Sequence, residues 1–273
     1  MRDVREARAP RAWIGGNRWS GARLASDLAA LGVDRGATML VHCSMRRIGW
    51  VEGGAATLRD ALLRLLDESA GTLVVPAQTR SKSQSSSEFL KAVADLDDDA
   101  RAAFLDALPG FDRETSPTEG MGALAEAVRC HPRAYRSAHP LTSFAAIGRS
   151  AREVCASHPL DCLLGKQSPL GALYEHGARV LLLGVGFDKC TAFHLGEDAV
   201  CDEERRYTCK VGDSWLDFED LAHRDGDFAE LGRRFAERHP HSVRRGRVGS
   251  AHALVFPFQD AAEFAASELP NLR

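Results

Sequence analysis

The chain has 273 residues, 44% of them hydrophobic and 27% charged, with seven cysteines and a net charge of -3. That length and apolar content support a packed core in one large domain or two small ones, and a pI near 6.4 excludes a nucleic-acid binder with a basic face. The odd cysteine count, with no pair at C-x-x-C spacing, argues against structural zinc and a secreted disulfide scaffold.

No apolar h-region opens the chain, and no 18-residue apolar run occurs in it. The expectation is a cytoplasmic protein with no membrane and no nucleic-acid partner. Residues 1–18 are basic and aperiodic and read as a mobile leader. Residues 19–273 read as a single domain.

Ser20 reads as the N-cap of a helix over "GARLASDLAALGV", with Leu24, Leu28 and Leu31 at helical spacing and Gly32 as the stop. "ATMLVHCS" is a buried strand, "GGAATLRDALLRLLDESAG" an amphipathic helix, and "GTLVVPAQ" the next strand. This β-α-β order predicts parallel strands. Residues 80–118 are polar and acidic, with short helical pieces, and read as an inserted functional loop. "MGALAEAVRCHP" is a helix. "RSAHPLTSFAAIG" follows, with "SFAAIG" as a short strand entered through Pro140. "SAREVCASHPL" and "SPLGALYEHG" are helices, the second with proline at its start. "ARVLLLGVGF" is a strand, and "CTAFHLGEDAV" runs from loop into helix. "RRYTCKV" and "SWLDFED" predict antiparallel strands, "DGDFAELGRRFAER" a helix, and "GRVGSAHALVFPFQDAAEFAASEL" a strand followed by a final helix. The alternation predicts an α/β fold. Its central sheet is mostly parallel and flanked by helices, with a smaller antiparallel patch and a helical insertion.

Gly184 and Gly186 follow a strand, but Lys189 stands where a dinucleotide fingerprint needs its third glycine. The strand end instead delivers a loop carrying Asp188, Thr191, His194 and Glu197, and ligands of open α/β sheets bind outside such ends. His194 and Glu197 are three apart, so a helix places both on one face. A carboxylate there can orient the imidazole and fix its tautomer, or the two can form a plain surface ion pair. Cys43 raises the question of a thiol nucleophile, but adjacent residues of a strand face opposite ways, which makes His42 a poor activator. Asp217, Glu219, Asp220, Asp225 and Asp227 read as a solvated turn with helix-start acids. No metal-spaced set of ligands is present in the sequence.

Four blocks carry a resemblance: "LVHCSMRRIGWVEGG…TLVVPAQT", "RSAHPLTSFAAIG", "SPLGALYEHGARVLLLGVGFDKCTAFHLGED" and "GRVGSAHALVF". In this order, from about residue 20 to the end, they resemble the aminoglycoside 3-N-acetyltransferase family. The resemblance implies antibiotic resistance by acetyl transfer from acetyl-CoA to the 3-amino group of an aminoglycoside, a cationic small molecule. It implies His194 as catalytic base with Glu197 as its acid. His42, Ser44, Met45, Arg46, Arg47, Ile48 and Gly49 would bind the CoA arm. Arg136, Ser137, His139, Ser143 and Phe144 would line the CoA side of the cleft, with His139 in a shaping role and Ser143 in contact. Gln78, Thr79, Asp188 and Asp225 would meet the acceptor. A further acid near His194 would be one of Glu219, Asp220, Asp225 and Asp227. The chain departs from the family at Cys43, at Pro76-Ala77-Gln78-Thr79, at Leu141-Thr142 and in its serine-rich insertion. Alternatives are the same chemistry on a peptide antibiotic or biosynthetic amine, a cysteine acyltransferase through Cys43, and a catalytically inactive small-molecule binder. A monomer or a homodimer is expected.

Overall fold

The computed structural model describes residues 17–273, so the leader expected over residues 1–18 lies outside them except at its end. There the expected boundary gives way to structure. Strand β1 (Arg18–Trp19) pairs in parallel with Trp50–Val51, and the Arg18 guanidinium sits 4.9 Å from the Trp50 ring centroid.

Helix α1 (Gly21–Leu31) starts where Ser20 Oγ accepts from the Arg23 N–H. It stops at Gly32, whose φ of 93° favours glycine. Its buried leucines are the three that predict it. Strand β2 (Thr38–Cys43) passes through the turn α2 (Met45–Ile48) and β3 (Trp50–Val51) into α3 (Gly54–Leu66) and β4 (Thr72–Pro76). Residues 80–118 carry α4 (Ser87–Val93) and α5 (Asp98–Ala107). Then come α6 (Ala123–Arg129), β5 (Tyr135–Arg136), β6 (Phe144–Gly148) and the single turn α7 (Ala151–Val154). Helix α8 (Pro169–Glu175) is capped by Ser168, with Pro169 at its first position, and leads to β7 (Arg179–Leu183) and α9 (Ala192–Asp198). The antiparallel pair β8 (Glu204–Val211) and β9 (Ser214–Leu221) precedes α10 (Phe228–Arg238). The single strand expected in "GRVGSAHALVF" is instead a hairpin, β10 (Arg244–Val248) and β11 (Ala251–Pro257). Gly249, at φ 59°, and Ser250 turn the chain between them before α11 (Phe258–Glu268).

Among the described residues, seven strands form the main sheet in the order β10-β11-β7-β2-β4-β6-β5. The centre, β7-β2-β4, is parallel. Strands β11 and β6 run against it, and β10 and β5, antiparallel to those two, return to the central sense. Most strands therefore point one way, with reversals confined to the flanks.

Alternation along the strands divides the core. Leu40, Val74, Val180 and Leu182 pack with α8, α9, α10 and α11, whereas Met39, Val41, Leu181 and Leu183 pack with α1, α3 and α6. Each fully buried leucine contributes about 1.5–3 kcal/mol. The same alternation puts His42 on the Leu40 face, toward α9, and Cys43 on the other. Helix α9 lies close on α11: a Cβ on Gly196 would stand 2.2 Å from the Ala262 carbonyl oxygen. The β8-β9 ribbon joins the insertion through bridges from Ser83 to Cys209 and from Phe111 to Val211. Lys210 Nζ donates to the Leu105 and Asp106 carbonyls at the end of α5, at 3.0 and 2.9 Å. Insertion and ribbon thus form one wall.

Candidate active site

The loop after β7 and the helix α9 deliver His194 to a cleft outside the strand ends of β2 and β7. The i, i+3 spacing works as read. His194 Nδ1 and Glu197 Oε2 are 2.6 Å apart. Glu197 is fully buried, and its other oxygen accepts the Arg224 backbone N–H at 2.8 Å and pairs with Arg273 Nη1 at 2.7 Å. Burial alone would push the Glu197 carboxyl up. The bonds from His194, Arg224 and Arg273 outweigh that and hold it below the usual carboxylate range. An ionised Glu197 accepts from Nδ1–H, which leaves the Nε2 lone pair as the free one.

Arg273 is itself held by Asp227 Oδ2 at 2.5 Å and donates to the Arg224 carbonyl at 2.9 Å. That resolves the set of downstream acids. Among the described residues none of Glu219, Asp220, Asp225 and Asp227 bonds to His194. Asp227 acts on the partner of Glu197, Asp220 accepts the Leu163 N–H, and Asp225 lines the cleft. Arg273 carried no motif, and sequence reasoning missed it.

Two lobes meet at His194. The first is lined by His42, Cys43, Ser44, Met45, Arg46, Gln78, Asp188 and, shared with the second lobe, Arg80 and Asp225. His42 is 7% exposed, its Nε2 has no partner, and burial, then the facing His194, lower its pKa to about 3, so it is neutral. Ser44 makes no capping bond with its hydroxyl. Its N–H is spent on the Leu183 carbonyl at 2.9 Å and is not free for a ligand. Among the described residues Arg46 forms no ion pair. Burial pushes the Cys43 thiol up to about 12, which leaves it a thiol at neutral pH and counts against the nucleophilic alternative.

The second lobe is lined by Arg80, Ser83, Leu141, Thr142, Arg205, Tyr207, His223 and Asp225. His223 lies 5.4 Å from His194, ring to ring, with both nitrogens unpartnered. Burial first, then His194, lower its pKa to about 4. His223 stood unnoticed among the acids around it, and Arg205 carried no signal in its strand.

Several expected contacts are corrected. Ile48 is fully buried in the core, as an apolar residue closing a turn should be. A Cβ on Gly49 would meet Trp19 and Ser250, away from the cleft, and Arg47 is exposed outside its lining. Ser137, Ser143, Phe144 and Thr79 are fully buried and face no cleft. Ser137 Oγ lies 2.9 Å from His158 Nδ1 and accepts the Phe144 N–H. Ser143 Oγ accepts from Arg136 Nε at 3.0 Å and donates to the Ala77 carbonyl at 2.8 Å. Thr79 donates its hydroxyl to the Pro140 carbonyl. Arg136 is buried too and binds the Ala77 and Ser116 carbonyls. His139 Nδ1 accepts the Leu141 and Thr142 N–H groups, so Nε2–H faces the Leu160 carbonyl. Burial lowers its pKa to about 4. The "RSAHP" block is a brace beneath the cleft, and only Leu141 and Thr142 reach the lining.

A sequence model of the aminoglycoside 3-N-acetyltransferase family matches residues 40–270. The SPbeta prophage-derived aminoglycoside N(3')-acetyltransferase-like protein YokD of Bacillus subtilis (strain 168) is 35% identical over 248 residues, 89% of each chain. The crystal structure of YokD is similar with a TM-score of 0.83 at 33% identity, over 92% of this chain and 98% of that one. AAC-IIIb in a binary complex with CoASH gives 0.80 at 27% identity, over 94% and 98%. AAC-VIa bound to sisomicin gives 0.77 at 28%, over 94% and 99%. With this family model covering most of the chain, over a cleft built around a carboxylate-held histidine, the chain belongs to the aminoglycoside 3-N-acetyltransferase family, whose co-substrate is acetyl-CoA.

Proposed function

We propose that this chain transfers the acetyl group of acetyl-CoA to a primary amine, with His194 as general base. One observation carries the reading: the buried Glu197 holds His194 Nδ1 at 2.6 Å where the two lobes meet. Acetyl-CoA supplies the activated acyl carbon. The first lobe suits it, offering the unpaired Arg46 cation, the Ser44 hydroxyl and the orphaned His42 Nε2. An ammonium is no nucleophile, so it first releases one proton to solvent, and the neutral amine then loses a second to His194 Nε2 as it attacks the thioester carbonyl. The N–C bond forms as the C–S bond breaks, and the proton passes from His194 to the departing sulfur. Glu197 stabilises the imidazolium meanwhile, and Arg224 and Arg273 keep Glu197 from turning away. The Ser44 hydroxyl donates to the carbonyl oxygen as negative charge grows there.

The proposed acceptor is the 3-amino group of an aminoglycoside, the class named for the relatives and present as sisomicin in AAC-VIa. Asp225 is the carboxylate available to its ammonium substituents, beside Asp188, which pairs with Lys189 at 3.2 Å, and the Gln78 amide oxygen, which also accepts from Arg80. A second reading, the same transfer to a non-aminoglycoside amine, is favoured by the cations that line the second lobe. The test is His194→Ala, with CoA release followed against an amine panel. Turnover falls by at least about 10²-fold, the lower end of general-base contributions, while CoA affinity is kept. Near-normal turnover overturns the assignment.

A further inference from the structure

The chemistry of the second lobe points to its ligand. Beside His194 it presents two guanidinium groups, Arg80 and Arg205, and the hydroxyls of Ser85 and Ser86, against one carboxylate, Asp225, while Thr142 Oγ1 is spent on the Leu163 carbonyl and Ser83 Oγ pairs with Ser85 Oγ. Both arginines are exposed, and among the described residues neither forms an ion pair. Arg80 uses Nε on the Gln78 amide oxygen at 3.1 Å, and Arg205 uses Nη2 on the Ser85 carbonyl at 3.2 Å. A guanidinium has five N–H donors, so most of each fork stays free. The acids around the lobe are engaged elsewhere. Asp220 accepts the Leu163 N–H, Glu203 pairs with Arg224, and Asp217 pairs with Arg206 at 2.8 Å. Glu119 accepts the Ser81 N–H at 2.7 Å and its hydroxyl.

A polycation in this lobe would set its ammonium groups against two unpaired guanidiniums, with one carboxylate in compensation. We infer that the lobe selects an amine that also carries an anionic group, a phosphate or a carboxylate. The inference rests on the acetyl-transfer reading and takes the second of its two acceptors, a non-aminoglycoside amine. Arg80 and Arg205 take the anion by the forked geometry that suits planar or tetrahedral oxyanions, and the serine hydroxyls add donors. Asp225 receives the ammonium end, which then lies beside His194 for deprotonation. Arg80 and the serines belong to the polar stretch over residues 80–118.

The test measures equilibrium binding by calorimetry on the full chain saturated with CoA, with glucosamine 6-phosphate, glucosamine and sisomicin as probes. The phosphorylated sugar binds at least about tenfold more tightly than glucosamine, as charge-assisted bonds imply, and sisomicin binds no more tightly than glucosamine. Arg205→Gln, at the arginine that lines the second lobe and not the first, reduces the difference and leaves CoA affinity unchanged. On the wild type, inorganic phosphate competes with glucosamine 6-phosphate. Equal affinity for the two sugars, tighter binding of sisomicin, or no competition by phosphate overturns the inference. So does loss of CoA affinity in the Arg205→Gln variant, which would assign that arginine to the phosphates of CoA. CoA release from acetyl-CoA is scored separately. A binding preference without release from any amine supports the anion lobe and rejects the acetyl-transfer reading.

Discussion

Acid should unfold this protein through its buried histidines before its carboxylates titrate. His42, His139 and His158 are 7%, 0% and 8% exposed. Burial lowers their pKa values from 6.5 to about 3, 4 and 3, with His194 adding to the shift at His42 and His139 adding to that at His158. The unfolded chain therefore binds more protons than the folded one below pH 6.5, and stability falls as the pH falls through that value. At pH 5 each unfolded histidine is favoured by about 1.5 pH units, or about 2 kcal/mol. The three together remove about 6 kcal/mol, a large part of the ~5–15 kcal/mol that holds a domain folded. His223, lowered to about 4 by burial first, acts in the same direction. Glu197, held low, contributes only below its unfolded pKa of about 4.3. Urea unfolding at pH 7.5 and pH 5.0 reads the effect. With an m value near 3 kcal/mol/M the midpoint drops by about 2 M. A midpoint that stays constant across this range would show that the histidines titrate as they do in the unfolded chain, and would refute the reasoning.

Two further outcomes bear on the site. Cys43→Ser changes turnover by less than about threefold, whereas a thiol nucleophile would lose all activity; CoA release reads this. Arg273→Met removes a cation from Glu197, so the carboxylate holds the imidazolium proton more tightly. Turnover drops, and the acidic limb of kcat/KM moves to higher pH with the KM for acetyl-CoA unchanged. A uniform loss without movement of the limb would leave Arg273 only a structural part.

What could be read beforehand was mostly local. The Ser20 and Gly32 caps, the helix that carries His194 and Glu197, and the β8-β9 ribbon all follow from short-range spacing. Facing was harder. His139, Ser143 and Phe144 sit beside a proline and a small apolar run, and such a stretch gives no sign of which side meets the cleft. Ile48 was placed on the CoA arm by the resemblance, against its apolar side chain, and the fold buries it. Arg273 and His223 meet the site only through the tertiary fold, and no spacing connects them to His194. The hairpin at Gly249 was missed: the stretch read as one strand, because the arginine-rich β10 before the Gly-Ser turn carries little apolar signal of its own.

The "RSAHP" block still acts on the cleft, through Gln78. Ala77 exchanges backbone bonds with this block: its N–H donates to the Ser143 carbonyl at 2.7 Å, and its carbonyl accepts Arg136 Nη2 at 2.6 Å and Ser143 Oγ at 2.8 Å. Thr79 is held by the Leu141 and Pro140 carbonyls. With both neighbours fixed on the inner side, the residue between them must face outward, and Gln78 lines the cleft. Ser143→Ala therefore separates a brace from a wall. It leaves the buried Arg136 Nε without its acceptor, which costs about 1–3 kcal/mol, so the thermal midpoint falls. The acceptor KM rises as Gln78 loosens, while CoA affinity is unchanged, because Ser143 is fully buried. Unchanged stability with a clear loss of CoA affinity would return Ser143 to the cleft wall.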